Sequence, residues 1–156
     1  LLIAAEECDW LSAEALTYYH PKLIASEGAG ALLLSAQGDG PRVREIIGPM
    51  AYLSWRERGA LLPELAAQTR AKLSGEAVLI DDRTGITKLD RAEAAAWSGS
   101  PWNAVLSPKL VLGESMGASA ALQLVLGTFT ARETQQPVVI SMPGTNTAAY
   151  ACVISL

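Results

Sequence analysis

The stretch "KLVLGESMGASAALQLVLG", residues 109–127, holds the side chains best placed by type and spacing to do chemistry. Its G-E-S-M-G turn sets Ser115 in the G-x-S-x-G pattern of a nucleophile elbow, where a serine oxygen attacks an ester or amide carbonyl. The apolar residues before the turn predict a short strand, and those after it predict a helix. A serine at neutral pH also needs a base, usually a histidine oriented by a carboxylate. After Ser115 the chain has Glu133 but no Asp and no His, and its single histidine, His20, lies upstream. Lys109 is the nearest basic residue, on the strand expected before the elbow. Ser115 therefore has a nucleophile's turn without a nucleophile's base.

The elements that must position these residues belong to a chain of 156 residues, half hydrophobic and only 18 % charged, enough for one domain with a real core. A net charge of −4 with no Lys/Arg block argues against nucleic acid and anionic membranes as partners. No apolar run reaches the roughly 18–20 residues of a transmembrane helix, and no basic segment precedes an apolar stretch as in a secretory signal. Cys8 and Cys152 lack metal-ligand spacing, so no metal site is expected; they read as two buried thiols in a reducing cytoplasm. His20, before Pro21, reads as an exposed or capping histidine at a helix end. "LLIAAEE" opens without Met and in mid-strand, which suggests the later part of a longer protein.

Strands and helices alternate through the middle of the chain, which predicts an α/β fold. Residues 1–5 read as a strand ending at Glu6-Glu7. Trp10, Leu11, Ala13, Leu16 and Tyr19 recur at helical spacing, with Asp9 or Ser12 as cap and Trp10, Tyr18 and Tyr19 expected in the core. "KLIASEGAGALLLSAQ" predicts a long strand whose Gly28 and Gly30 mark a bulge or a close backbone approach. "PRVREIIGPMA" alternates as a half-exposed strand, and "ALLPELAAQTRAKLSG" predicts an amphipathic helix with Pro63 in its first turn. "EAVLID" is a short buried strand, and "DRAEAAAW" starts a helix with Asp90 and Glu93 spaced as a capping box. Trp97 and Trp102 flank "SGSP" before a further strand. The all-apolar helix after Ser115 is expected to be buried on most sides, and "QPVVISM" and "NTAAYACVISL" to form an antiparallel pair.

Taken together, four segments occur in the order of a known family. "SEGAGALLLSAQGDGP" is similar to a G-E-G-A-G strand and its following turn, and "EAVLIDDRTGITKLDRAEAAAW" to a strand followed by H-G-T-G-T-P-x-x-D and x-x-E. "LSPKLVLGESMGASAALQLVLG" is similar to K-x-x-x-G-H-x-x-G-A-x-G, and "ISMPGTNTAAYACVIS" to a G-F-G-G-T-N turn and last strand. "LLIAAEE" is similar to the strand L-x-x-G-G-x-E, with Glu6 on its acidic position. The chain thus resembles the β-ketoacyl synthases, which form carbon–carbon bonds in fatty-acid and polyketide assembly. The resemblance implies a thiolase-like, layered αβαβα architecture with mixed sheets. Residues 1–40 would end its N-terminal half, and residues 41–156 would make most of its C-terminal half.

The departures from the family pattern decide what the resemblance implies. The family's catalytic cysteine would lie upstream, and Cys8 does not match it. Its two histidines fall on Asp82 and Glu114, its lysine on Lys109, its helix glutamate on Gln123 and its gating phenylalanine on Met142. Thr145 and Asn146 are retained, and Thr84, Met142, Thr145 and Asn146 are the implied pocket residues. The family's histidines donate hydrogen bonds to a thioester oxygen, whereas a carboxylate accepts them and repels a malonyl carboxylate. A protonated carboxyl could donate, given a strongly raised pKa. Asp82 and Glu114 are instead expected to accept hydrogen bonds in a filled pocket, with Lys109 pairing Glu114 and Arg83 available to either acid. The resemblance then implies a non-condensing, chain-length-factor-like subunit. Its partners would be an active ketosynthase, as a heterodimer, and an acyl carrier protein, with no cofactor. The rival readings are a divergent active condensing or acyl-transferring enzyme with its cysteine upstream, and an α/β-hydrolase using Ser115.

Overall fold

The computed structural model describes residues 1–144 and 148–156, and the backbone alone of Tyr19. In chain order the elements are β1 (Leu2–Glu6), α1 (Trp10–Tyr19), β2 (Gly28–Leu32), β3 (Arg42–Ala51), α2 (Trp55–Arg70), β4 (Ala77–Ile80), α3 (Thr87–Ala96), β5 (Trp102–Leu106), α4 (Lys109–Leu112), α5 (Met116–Thr134), β6 (Val138–Met142) and β7 (Ala148–Ser155). Five strands form a mixed sheet in the order β3-β7-β6-β4-β5. β4 runs parallel to both β5 and β6, while β7 is antiparallel to β6 and to β3.

The strand alternation sorts the core into two layers, because successive side chains leave opposite faces of a sheet. Ala77, Leu79, Val139, Ala151 and Val153 face Leu62, Leu65 and Ala66 of α2 and Ala96 and Trp97 at the end of α3. Val78, Ile80, Val138, Ile140, Cys152 and Ile154 face Leu124, Leu126 and Ala131 of α5. The sheet therefore lies between α2 and α3 on one side and α5 on the other. Among the described residues, no helix is long and apolar enough to cross a membrane.

β1 and β2 pair antiparallel, from Leu2↔Leu32 to Glu6↔Gly28, and pack on α5. The close approach expected of the strand glycines is present. A Cβ on Gly30 would lie 2.9 Å from the Ala121 carbonyl carbon, so β2 can ride on the α5 backbone only without a side chain there. The strand is much shorter than "KLIASEGAGALLLSAQ" suggests. The register of β1 ends at Leu2↔Leu32, which leaves Leu33 and Leu34 outside the pair and exposed.

Several local expectations need correction. Residues 109–112 form a helical turn, not a strand. Pro108 has φ −61°, and its carbonyl accepts from Leu112 N–H at 2.8 Å, so proline's fixed φ starts a helix here. α2 begins at Trp55, capped by Ser54, which places Pro63 in mid-helix. α3 begins at Thr87, so Asp90 and Glu93 form no capping box; Asp90 caps the preceding loop by accepting from Thr84 and Gly85 N–H. Trp10 and Tyr18 are exposed, because only Leu16 of α1 reaches the core among its described side chains. Cys8 is half-buried, whereas Cys152 is buried, and both are free thiols. Burial pushes the Cys152 thiol up to about 11. The cap at Asp9 is as expected, accepting from Ser12 N–H at 2.7 Å, and His20 closes α1.

Candidate functional site

The site is built where β4 ends, α4 turns and α5 begins. β4 delivers Asp81 and Asp82 at its C-terminal end. The turn after α4 delivers Glu114, held from behind by the segment around Ala25. Glu114 N–H donates to the Ile24 carbonyl at 2.7 Å, and Ser26 N–H donates to the Glu114 carbonyl at 3.0 Å. Gly113 makes this possible, with φ +85° and no Cβ; one built there would lie 2.7 Å from the Ile24 oxygen.

Lys109, Asp82 and Glu114 meet in one buried cluster. The Lys109 ammonium lies 2.6 Å from Asp82 Oδ1 and 2.9 Å from Glu114 Oε2, with all three side chains 6 % exposed or less. Arg58 of α2 reaches the other Asp82 oxygen at 3.2 Å. Gln123 Nε2 donates to the Asp81 carbonyl at 3.3 Å and to Asp82 Oδ1 at 3.4 Å. The Ser119 hydroxyl donates to Glu114 Oε1. Every oxygen of both carboxylates thus accepts at least one hydrogen bond, and two cations balance two anions.

The electrostatics follow from this closure. Burial by itself pushes the Lys109 pKa down, but Asp82 and then Glu114 outweigh it and hold the ammonium above the ordinary lysine range. Lys109 is therefore a fixed charge and not a base for Ser115. Glu93 of α3 is 1 % exposed and accepts from Asp82 N–H at 3.3 Å. Burial first, and the Asp82 charge second, raise its carboxyl to about 7, against the Ser141 hydroxyl, Arg58 and the Asp82 N–H.

A mostly apolar cavity of about 780 Å³ opens onto this cluster. Leu32, Ile46, Leu124 and Tyr150 contribute to its walls, and Asp82, Lys109, Glu114, Ser119 and Gln123 line its polar end.

Met142 lines the cavity and Thr84 does not; Thr84 is buried, with its N–H on Asp90 Oδ1. Thr145 and Asn146 lie outside the described residues. The expected Lys109–Glu114 pair is present, and Arg83 is placed elsewhere than expected. Its Nε lies 2.7 Å from Asp81 Oδ2, and its Nη2 donates to Ser107. Ser115 is only 2 % exposed, with its hydroxyl 3.3 Å from that of Ser119. It follows a helical turn, so the strand-turn-helix of an elbow is absent. His20 packs against Trp55, and its Nδ1 accepts from Lys22 N–H. Among the described residues, no group of His, Cys, Asp or Glu side chains is placed to hold a metal ion.

Two members of the cluster escaped the sequence reading. Arg58 shares a buried stripe with Leu62, Leu65 and Thr69, at positions i+4, i+7 and i+11. Glu93 shares one with Leu89 and Ala96. A charge on the apolar stripe of an amphipathic helix is the signal that could have found both. No protein-family model, curated protein or solved structure matches this chain.

Proposed function

We propose that this chain is a ketosynthase-like subunit without condensing chemistry of its own. Its part is to help shape the alkyl pocket of an active ketosynthase partner that works on chains carried by an acyl carrier protein. The observation that carries this reading is the buried Arg58–Asp82–Lys109–Glu114 network at the polar end of an apolar cavity, in which every carboxylate oxygen of Asp82 and Glu114 accepts. A condensing site presents hydrogen-bond donors, without their own acceptors, to a thioester oxygen that gains charge. Here the two matched positions carry carboxylates whose oxygens are all occupied as acceptors, and the lysine is spent on them. The three-layer packing of helices about a mixed sheet is compatible with one thiolase-like half.

The rival enzyme readings draw less support from the same geometry. A divergent condensing enzyme would need Asp82 and Glu114 to donate, yet Lys109, Arg58 and Ser119 donate to them. A hydrolase would need a base beside Ser115, whose hydroxyl meets only that of Ser119 among the described contacts. Co-expression with a ketosynthase that has an intact Cys-His-His set tests the proposal. The expected result is a stable complex whose product length changes when this chain is replaced by one with a smaller cavity. A partner that neither binds this chain nor changes its product refutes it.

A further inference from the structure

α1 is held to the fold by one side only. Leu16 packs with Leu23, Ile86 and Leu89 in a small core, while Trp10, Leu11 and Tyr18 are 77 %, 58 % and 83 % exposed. Trp10, Glu14 and Tyr18 recur every four residues and so form one ridge along the helix, with Leu11 beside Tyr18 at i+7. The Tyr18 hydroxyl donates to Glu14 Oε1 at 3.3 Å, so the ridge carries an acid flanked by two aromatic rings. None of these four residues lines the large cavity, and this face is separate from the buried ion network. Glu6, Glu7, Asp9 and Glu14 are the charged side chains of positions 1–21, and the other acidic residues of the chain are matched one for one by its 12 Lys and Arg. The whole net charge of −4 thus sits in and beside α1.

We propose that this face of α1 docks a basic amphipathic helix of another protein. A ridge of side chains four residues apart is the shape that packs into the groove of a second helix. Trp and Tyr are enriched among the anchors of protein interfaces, because each buries a large rigid area for few rotatable bonds. Charge then selects among occupants. Nucleic acid and anionic lipid are repelled by four acids with no nearby Lys or Arg. A second copy docking by the same face about a twofold axis would set acid against acid. A helix with an apolar seam flanked by Arg meets every demand of this face. Its seam covers Trp10, Leu11 and Tyr18, one guanidinium reaches Glu14 and stacks on the rings beside it, and further cations face Glu7 and Asp9.

Two synthetic peptides test the assignment, an amphipathic Leu/Arg helix and a Leu/Glu helix with the same apolar seam. Backbone amide shifts of the chain, followed by NMR during titration, should move in α1 with the Leu/Arg peptide alone, and the affinity should fall as salt is raised. Trp10→Ala should weaken binding by about thirtyfold and Glu14→Lys by about tenfold. Both side chains are exposed, so both variants should keep the parent's circular dichroism. Shifts confined to another surface, equal affinity for the two peptides, no binding of the Leu/Arg peptide, or unchanged binding by either folded variant overturns the proposal. A concentration-dependent dimer of the parent chain that Trp10→Ala dissolves also overturns it, since a second copy would then be the occupant.

Discussion

Replacing Glu93 by glutamine probes the buried network most sharply. α3 holds this carboxyl beside Asp82 at 1 % exposure, where burial first and the Asp82 charge second raise its pKa from 4.5 to about 7. The unfolded chain ionises the group near its ordinary value. A folded-state pKa above the unfolded one means that the folded protein holds the proton more tightly. The contribution to stability is therefore complete below about pH 4.5 and is lost as the pH rises through about 7. At about 1.4 kcal/mol per pH unit, the loss across that window is about 3 kcal/mol. Glu93→Gln keeps the shape and stays neutral at every pH, so it should remove this slope. Urea unfolding of both proteins at a series of pH values reads the difference directly. The two should be similarly stable near the acid end, with the variant ahead by about 2–3 kcal/mol above neutral pH. Parallel profiles would refute the placement of Glu93 as a buried acid that favours its proton.

Lys109→Met leaves Asp82 and Glu114 facing each other without their shared cation, and should cost about 3–5 kcal/mol in denaturant unfolding. Adding Glu114→Gln should recover part of that loss; strictly additive effects would show that the residues are not coupled. Gly127→Ala places a Cβ 2.5 Å from Ile140 Cδ1. It should destabilise by about 1–3 kcal/mol despite alanine's better helix propensity. In an Ile140→Val background, which lacks that methyl, the cost should shrink or change sign. Ser115→Ala should leave fluorophosphonate labelling of the chain unchanged, at background level, because the parent hydroxyl is buried and has no base.

The core strands and the long helix after Ser115 were legible as apolar runs bounded by turn residues, told apart by their lengths. β4 is a continuous apolar run, and β6 and β7 carry β-branched residues on both faces. The Lys109–Glu114 pair was expected from the resemblance, which sets both positions in one site, and the tight turn after α4 brings the two together. What was lost turned on longer-range facts. Residues 109–112 look like a strand by composition, but Pro108 and the docking of Glu114 on the Ala25 segment impose a helical turn. The place of Arg58 on the apolar stripe of α2 marks it as buried, but its pairing across 24 positions with Asp82 is not encoded in any local pattern. Glu93 sat at capping-box spacing from Asp90, and the earlier start of α3 puts it instead on the buried stripe with Leu89 and Ala96.

On the proposed function, the carboxylates of Asp82 and Glu114 close this site to condensing chemistry. Carbon dioxide release from malonyl-loaded acyl carrier protein, measured for this chain alone and for its complex with an active ketosynthase, tests it most directly. Release is expected from the complex only, lost when the partner's histidines are replaced and retained in folded complexes carrying Asp82→Asn. Turnover by this chain alone, abolished by Asp82→Asn or Glu114→Gln, would contradict it.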